Sequence, residues 1–423
     1  MKEKIKLVEK YNLWNGNTFP IGYVRESYIE KIYGFLGNKL VKVLVGQRRC
    51  GKSFILRQIA MKLVESGVSG DNILYLNREF IDFDFLQNYK DLDEFVKAYV
   101  EEIKPSGKIY LFIDEIQNID EWERFVNSYS QDFTTDYELI ITGSNSKMLS
   151  GELSTLLSGR YVEFEIFPFS YSEYLGFYNL ENNRQNYHEY LKSSGLPEMF
   201  NLDNECFKTN YVESLKDTVL LRDIIQRYKI KNPKLLEDIF VFIAMNASNM
   251  ISITNVVNYF KSKKRETTYD TIANYIGYLE DAFLIHKVER YDIKGKDTIS
   301  GNCKYYLNDL AFCNYLYKGF GYGIGFKLEN LVYLDLKRSG YKVFVGDIKS
   351  KEIDFVAIKN EDVKYVQCTY MLIDDSTIER EYSALEIISD NYEKIVVSLD
   401  DEPLPNRNGI KNEVAWKMTN VLP

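Results

Sequence analysis

The stretch GQRRCGKS, from Gly46 to Ser53, decides the fold of the first part of this chain. It follows an apolar run, LVKVLV at 40–45, and precedes a helical pattern, FILRQIAMKLVES at 54–66. Strand, glycine-containing loop and helix in this order are typical of a phosphate-binding loop. The glycines let backbone N–H groups face phosphate oxygens, and the helix N-terminus adds favourable partial charge. The alternative is an ordinary glycine turn before a helix.

The spacing assigns distinct roles to the residues of this loop. Lys52 is predicted to reach the β- and γ-phosphates of ATP, and the Ser53 hydroxyl to coordinate Mg²⁺. The residues predicted to line the nucleotide are Gly46, Gln47, Arg48, Arg49, Cys50, Gly51, Lys52, Ser53 and Phe54.

A second apolar strand supplies the other half of a nucleotide site. Ile109–Ile113 (IYLFI) runs directly into Asp114 and Glu115. Asp114 is predicted to hold the Mg²⁺ shell, and Glu115 to polarise the attacking water as a general base. The alternative is an acidic strand end at the surface, since strands buried on both faces often finish in polar residues.

These motifs resemble those of AAA+ ATPases, and the resemblance implies roles for three further residues. The strand Leu139–Ile141 runs into Thr142-Gly143-Ser144-Asn145, at the position called sensor 1. Ser144 and Asn145 are both candidates there, and an ST-rich loop without a catalytic role is the alternative. Arg160 follows the segment SKMLSGELSTLLSG and is either an arginine finger for a neighbouring subunit or a helix-end arginine.

Over Gly46 to Ala357 the chain resembles prokaryotic AAA+ ATPases of the ORC/STAND-related clade. The matching motifs include LFIDEIQNIDEWE, ITGSNS, LSGRYVEFEIFPFSYSEYL, SSGLPEMF, LLRDI with Arg222 and Asp223, KYYLNDLAF, and LENLVYLDLKRSGY with EIDFVA. The implied fold is α/β: a P-loop αβα AAA+ domain, a helical lid, a winged helix and a restriction-endonuclease-like domain. The corresponding predicted boundaries are 1–25 for an N-terminal segment, 26–170, 171–215, 216–320 with a glycine-rich linker, and 321–423.

The winged-helix prediction depends on an amphipathic helix after a basic turn. Its apolar positions, spaced for one face of a helix, are Ile272, Ile276, Leu279 and Phe283. Thr267 with Asp270 is predicted to form its capping box. The basic residues just before it are Lys261, Lys263, Lys264 and Arg265. DNA binding and a purely protein-packing module are both open interpretations.

The last hundred residues read as helix, three strands, helix and strand, which resembles the PD-(D/E)XK nuclease fold. The resemblance places Glu329, Asp354 and Gln367 at a metal site. The lysine that should follow Gln367 is missing, because Cys368 and Thr369 stand there. Lys351 or Lys364 could substitute from another position, but a degenerate domain used for assembly or partner contact is the favoured interpretation.

Composition narrows the remaining possibilities. Five scattered cysteines and two histidines favour neither a disulfide framework nor a zinc site, and no apolar run approaches a membrane span. A cytoplasmic protein is therefore expected, without a membrane partner. The net charge of −9 disfavours broad nucleic-acid binding.

We predict an oligomeric, Mg²⁺-dependent ATPase or nucleotide switch coupled to DNA or a protein partner. The alternatives are an ATP-gated nuclease and a non-hydrolysing nucleotide-binding scaffold.

Overall fold

The computed structural model describes residues 1–145, 157, 159–317, 323–349 and 351–420. The chain divides into two compact units, Met1–Ile166 and Phe167–Pro423. Within the described ranges, no helix is both long enough and apolar enough to cross a bilayer. Most of the segment SKMLSGELSTLLSG and most of the predicted linker at 319–325 lie outside those ranges.

The first unit is built on a parallel five-stranded sheet in the order β2-β3-β4-β1-β5. Its strands are β1 (Val41–Val45), β2 (Ile73–Asn77), β3 (Ile109–Asp114), β4 (Tyr137–Gly143) and β5 (Tyr161–Glu165). Its helices are α1 (Lys2–Val8), α2 (Glu26–Tyr33), α3 (Lys52–Glu65), α4 (Tyr89–Ile103) and α5 (Trp122–Ser130). The predicted strands at 40–45, 109–113 and 139–141 and the helix at 54–66 are confirmed.

This sheet brings the predicted motifs to one edge. β1, β2 and β4 are buried along their whole length, as apolar strands of a parallel sheet covered on both faces should be. Val45 is in register with Gly143, and Ile113 with Ile141. The loop after β1, the acids at the end of β3 and the polar end of β4 therefore meet at the carboxyl edge, where ligands bind in open α/β sheets.

The second unit contains eight α-helices and a mixed sheet of seven strands within the described ranges. The helices are α6 (Tyr171–Tyr178), α7 (Arg184–Lys192), α8 (Glu205–Thr218), α9 (Pro233–Met245), α10 (Ile253–Ser262), α11 (Tyr269–Asp281), α12 (Ile324–Arg338) and α13 (Asp375–Glu386). π-Helical turns occupy Val219–Gln226, which includes Arg222 and the buried Asp223, and Phe312–Leu316. The strands are β6 (Ile285–Asp292), β7 (Asp297–Leu307), β8 (Lys342–Ile348), β9 (Lys351–Lys359), β10 (Asp362–Cys368), β11 (Glu393–Ser398) and β12 (Ile410–Val414).

Three helices, α9 to α11, precede the β6–β7 hairpin, and Ile272, Ile276 and Leu279 form a buried face of α11. Phe283 is also buried but follows the end of the helix at Asp281. One detail of the prediction is wrong: α11 begins at Tyr269, and Thr268, not Thr267, caps it by accepting a hydrogen bond from the Thr271 N–H. The helix starts one residue later than the proposed Thr267/Asp270 capping box requires.

The β6–β7 hairpin belongs to the same sheet as the C-terminal strands, in the order β12-β11-β10-β9-β8-β6-β7. Strand β6 pairs in parallel with β8, from Arg290 opposite Val345 to Asp292 opposite Asp347. The predicted helix and strands after 320 are present. Sequence patterns did not predict that the hairpin would extend their sheet, because such pairing is set by contacts between distant segments.

Candidate functional sites

The loop after β1 has a backbone that only glycine can adopt at two positions. Gly46 has φ +146° and Gly51 has φ +102°. A Cβ atom at Gly46 would overlap the carbonyl oxygen of Ile166, so this position excludes any other residue. Helix α3 begins at Lys52, directly after Gly51, which has no side chain with which to cap it. Its first-turn N–H groups are therefore the kind of donor set that binds phosphate.

Lys52 is folded back over this loop. Its ammonium donates hydrogen bonds to the carbonyl oxygens of Gly46 at 3.0 Å and Gln47 at 3.1 Å, and the side chain is buried. Because both acceptors belong to the loop before α3, the Lys52 ammonium is held over that loop. The predicted contact with phosphate requires the positive charge at this place.

Arg25, which lies outside the quoted motifs, is hydrogen-bonded to the backbone of the loop. The buried Arg25 donates from Nη1 to the carbonyl oxygen of Cys50 at 3.1 Å. Gln58 on α3 donates from Nε2 to the carbonyl oxygens of Ile21, at 2.7 Å, and Tyr23, at 2.8 Å. The segment before α2 is thereby fixed against both the loop and α3. Arg25 carries no motif signal, because its partner is a backbone oxygen.

Asp114 is fully buried and accepts hydrogen bonds from three neighbouring side chains. Thr142 Oγ1 donates to Oδ1 at 2.6 Å, while Tyr75 Oη and Asn77 Nδ2 each donate to Oδ2 at 2.9 Å. Burial and the adjacent Glu115 raise the pKa of Asp114, and hydrogen bonds from Thr142, Ser53 and Tyr75 oppose that shift. Tyr75 and Asn77 on β2 are site residues that sequence reasoning missed.

Glu115 is held by a different set of contacts. Its backbone is left-handed, with φ +54° and ψ +49°, and its N–H donates to Thr142 Oγ1 at 2.9 Å. Gln117 donates from Nε2 to the Glu115 carboxylate and, at 3.3 Å, to Ser144 Oγ. Thr142 thus joins the two predicted acids, and Gln117 joins Glu115 to one of the two sensor candidates.

The chemistry of this donor set fits ATP with Mg²⁺. Mg²⁺ prefers oxygen ligands and is usually held by one or two side chains together with phosphate oxygens and water. The Ser53 side chain lies near enough to the Asp114 carboxylate to lower the pKa of Asp114, so two suitable oxygen ligands stand together beside the loop. Ser53 and Asp114 are therefore suited to hold the ion.

The other predicted nucleotide residues differ in their surroundings. Arg48 forms an ion pair with Glu79, and Cys50 is buried, which raises the pKa of its thiol. The ring of Phe54 is partly exposed and lies 4.1 Å from the guanidinium carbon of Arg57. Arg49 has a left-handed backbone, with φ +66°.

The three residues predicted from the AAA+ resemblance lie at two different edges of the sheet. Ser144 and Asn145 are buried beside the end of β4. Arg160 is exposed and precedes β5, and its carbonyl oxygen accepts a hydrogen bond from the N–H of Val41, the first residue of β1. The phosphate-binding loop follows the last residue of β1, so Arg160 lies at the opposite edge, about 16 Å away along a five-residue strand.

The second unit brings the predicted Glu329 and Asp354 together around a lysine that sequence reasoning missed. Lys304 on β7 is buried, and its ammonium lies 2.8 Å from Glu329 Oε1, 2.7 Å from Glu352 Oε1 and 3.4 Å from Asp354 Oδ1. Neither proposed substitute contacts these acids: Lys351 donates to Ser383 Oγ at 3.2 Å, and Lys364 pairs with Glu393. Lys304 was missed because it lies 50 residues before Asp354, on the hairpin.

The acidic cluster makes further hydrogen bonds besides those to Lys304. Gln367 accepts from the Asp354 N–H at 3.3 Å and donates to Glu381 Oε2 at 3.0 Å. Asp354 Oδ2 accepts from the Cys368 N–H at 2.8 Å, and Tyr306 donates to Glu329 at 2.7 Å. Burial and Asp354 raise the pKa of Glu329 to about 8. The cluster lines a cavity of about 390 Å³.

These residues do not fit the metal site that the nuclease resemblance implies. An ammonium group has three N–H donors, and three carboxylates surround that of Lys304. Gln367 is hydrogen-bonded at both ends of its amide, to the Asp354 N–H and to Glu381. Among the described residues, no group of three His, Cys, Asp or Glu side chains is placed to hold a metal ion.

Comparison with known proteins gives two domain matches. Residues 38–175 match a family described as "AAA domain", and residues 184–323 match a "Domain of unknown function (DUF8612)". The first match covers β1 to β5, the loop from Gly46 to Gly51, and the acids Asp114 and Glu115. The second covers most of the helices of the second unit and its β6–β7 hairpin.

Two relatives match most of the chain. An "Uncharacterized protein" of Haemophilus influenzae is 36% identical over 380 residues, which cover 88% of this chain and 92% of that protein. "Uncharacterized protein MJ1544" of Methanocaldococcus jannaschii is 31% identical over 384 residues, covering 86% and 82% respectively. The Thermotoga maritima RuvB Holliday junction branch migration motor is similar at 15% identity and a TM-score of 0.31, over 63% of this chain and 90% of that one.

Replacing Lys304 by methionine should destabilise the protein by about 3–5 kcal/mol, because it leaves buried carboxylates without their cation. Urea unfolding at neutral pH, followed by circular dichroism, measures the change. Lys351→Met is the matched control, since that exposed lysine lines the same cavity and should cost under about 1 kcal/mol. Equal stabilities for the two variants would contradict the charge-neutralising role of Lys304.

Proposed function

Because this chain belongs to the same family as the Haemophilus influenzae and Methanocaldococcus jannaschii proteins and contains an AAA domain, we propose that it binds ATP with Mg²⁺ and hydrolyses it. The observation that carries the proposal is the buried hydrogen-bond network at the carboxyl edge of the sheet. Tyr75, Asn77 and Thr142 donate hydrogen bonds to Asp114, and Thr142 also accepts one from the backbone N–H of Glu115.

Each part of the site has a role in this proposal. The loop from Gly46 to Gly51 and the first turn of α3 bind the phosphates through N–H groups, and Lys52 places its charge on the β- and γ-phosphates. Mg²⁺, held by Ser53 and Asp114, neutralises phosphate charge when it is bound. Glu115 accepts a proton from the attacking water, and Ser144 or Asn145 contacts the γ-phosphate. A structural nucleotide that is never hydrolysed would not require Glu115.

The position of Arg160 supports an oligomeric enzyme. An arginine about 16 Å from the loop of its own chain, at the strand-start edge, is too far away to reach its own γ-phosphate. An exposed arginine there is available to the site of a second copy, as an arginine finger in trans would be. The separation of Arg160 from the phosphate loop is therefore the observation that supports an oligomer in this proposal.

The surface around the basic turn before α11 supports coupling of ATP turnover to DNA. Lys261, Lys263 and Lys264 are exposed, and a cavity of about 420 Å³ there is lined by Lys261, Lys264, Arg265, Glu266 and Thr267. Three helices followed by a hairpin have the element order of a winged helix, and such a turn would stand next to phosphates. The sheet after residue 320 is, in this proposal, a degenerate nuclease-like domain that contacts a protein partner.

Lys52→Ala should lower kcat/KM for Mg²⁺-ATP by at least about 100-fold, since it removes a charge from the reacting phosphates. Steady-state phosphate release, with nucleotide affinity measured in parallel, tests this. Lys39→Ala is the control, because Lys39 is an exposed lysine of the same unit just before β1, at the strand-start edge. If wild-type turnover is no faster than that of Lys52→Ala, the proposal that this protein hydrolyses ATP is wrong.

Lys264→Glu should weaken binding to duplex DNA equally for unrelated sequences and lower the salt dependence of the affinity, because it removes a phosphate contact. Fluorescence anisotropy at several salt concentrations measures both quantities. Lys417→Glu, which reverses another exposed lysine of the same unit, should leave both unchanged. An identical affinity for wild type and Lys264→Glu would favour the protein-packing interpretation.

A further inference from the structure

We infer that Gln117 positions the Glu115 carboxylate, and so is a positioning residue for ATP hydrolysis. The inference rests on the proposed ATPase function. Gln117 lies in the short turn Ile116–Asn118 directly after β3, and no motif assigned it a role. Its amide contacts both Glu115 and Ser144.

The backbone explains why a residue two positions after Glu115 can reach its carboxylate. The left-handed conformation of Glu115 reverses the chain direction immediately after the strand, and Ile116–Asn118 then form one tight turn. The Asn118 N–H closes that turn on the Glu115 carbonyl oxygen at 3.1 Å. The side chain of Gln117 is thereby brought back beside that of Glu115.

Backbone and side chain of Glu115 are therefore restrained by different neighbours. Thr142 binds its N–H at 2.9 Å, and Gln117 Nε2 binds its carboxylate. A general base must be held in place to take a proton from a water molecule in one defined position. Without Gln117, the Glu115 carboxylate loses the hydrogen bond that restrains its rotation.

The orientation of the Gln117 amide follows from its partners. A carboxylate only accepts hydrogen bonds, so Nε2 faces Glu115, and Oε1 faces the other way. Oε1 is buried and has no hydrogen-bond partner among the described residues, so the amide is held through its Nε2 contacts with Glu115 and Ser144.

These contacts define a balanced hydrolytic step. The water oxygen forms a bond to the γ-phosphorus while one of its protons passes to the Glu115 carboxylate, which Gln117 holds in place. The bond from the γ-phosphorus to the bridging oxygen breaks, and ADP leaves with that electron pair. The contact with Ser144 links the same amide to the γ-phosphate side of the site.

The test compares Gln117→Ala with Asn118→Ala in the full chain. Asn118 is the matched control, because it is the adjacent amide residue of the same turn and is exposed. Gln117→Ala should lower kcat for ATP about tenfold to a hundredfold, while KM and the affinity for nucleotide stay within about twofold. Asn118→Ala should retain wild-type kcat. A merely structural defect would instead lower the melting temperature and the nucleotide affinity together.

Gln117→Glu supplies a second readout in a variant of nearly the same shape, which carries the test if Gln117→Ala does not fold. Two neighbouring carboxylates resist being charged at the same time. The acidic limb of the pH profile of kcat should therefore move to higher pH by about one unit. The same profile for Asn118→Asp should not move. A Gln117→Ala enzyme with wild-type kcat, or an unmoved Gln117→Glu profile, would overturn this role. Absence of turnover in the wild type would instead refute the proposed function itself.

Discussion

A fully buried carboxylate, Asp114, is the constraint on which the nucleotide site depends. A charge without water must have hydrogen-bond donors, and Asp114 obtains them from Tyr75, Asn77 and Thr142. These donors lie on β2 and β4, so the acid joins both neighbouring strands to the end of β3. The buried carboxylate also stands beside Ser53, in the first turn of α3.

The parallel sheet makes this arrangement possible. Parallel strands end at a common edge, and the register of β1, β3 and β4 puts the loop, the acids and Thr142 side by side. The glycine at position 46 is required because the chain must pass close to the Ile166 carbonyl before it turns into α3. Arg160, at the other edge of the same sheet, is correspondingly unable to serve its own site.

The sequence predicted the strands, the loop and the acids, because local patterns determine them: apolar runs, glycines and charged strand ends. It did not predict the residues that complete each site through distant contacts. Arg25, Tyr75 and Asn77 lie outside the quoted motifs, and Gln117 lies in one without an assigned role, since the partners of these residues are backbone oxygens or side chains on other elements. Lys304 is the clearest example. Lys351 and Lys364 were the predicted candidates to replace the lysine that is missing after Gln367. The ammonium beside Glu329 and Asp354 instead belongs to Lys304, on the β6–β7 hairpin.

The most direct test of the central claim is the Mg²⁺ dependence of ATP binding by wild type and Asp114→Asn, measured by calorimetry with Mg²⁺ or with EDTA. If the Asp114 network builds the nucleotide site, wild type binds ATP more tightly with Mg²⁺ than without it, and Asp114→Asn loses most of that gain while still binding ATP through the loop. An equal gain from Mg²⁺ in both proteins, or no ATP binding by wild type, would contradict the account.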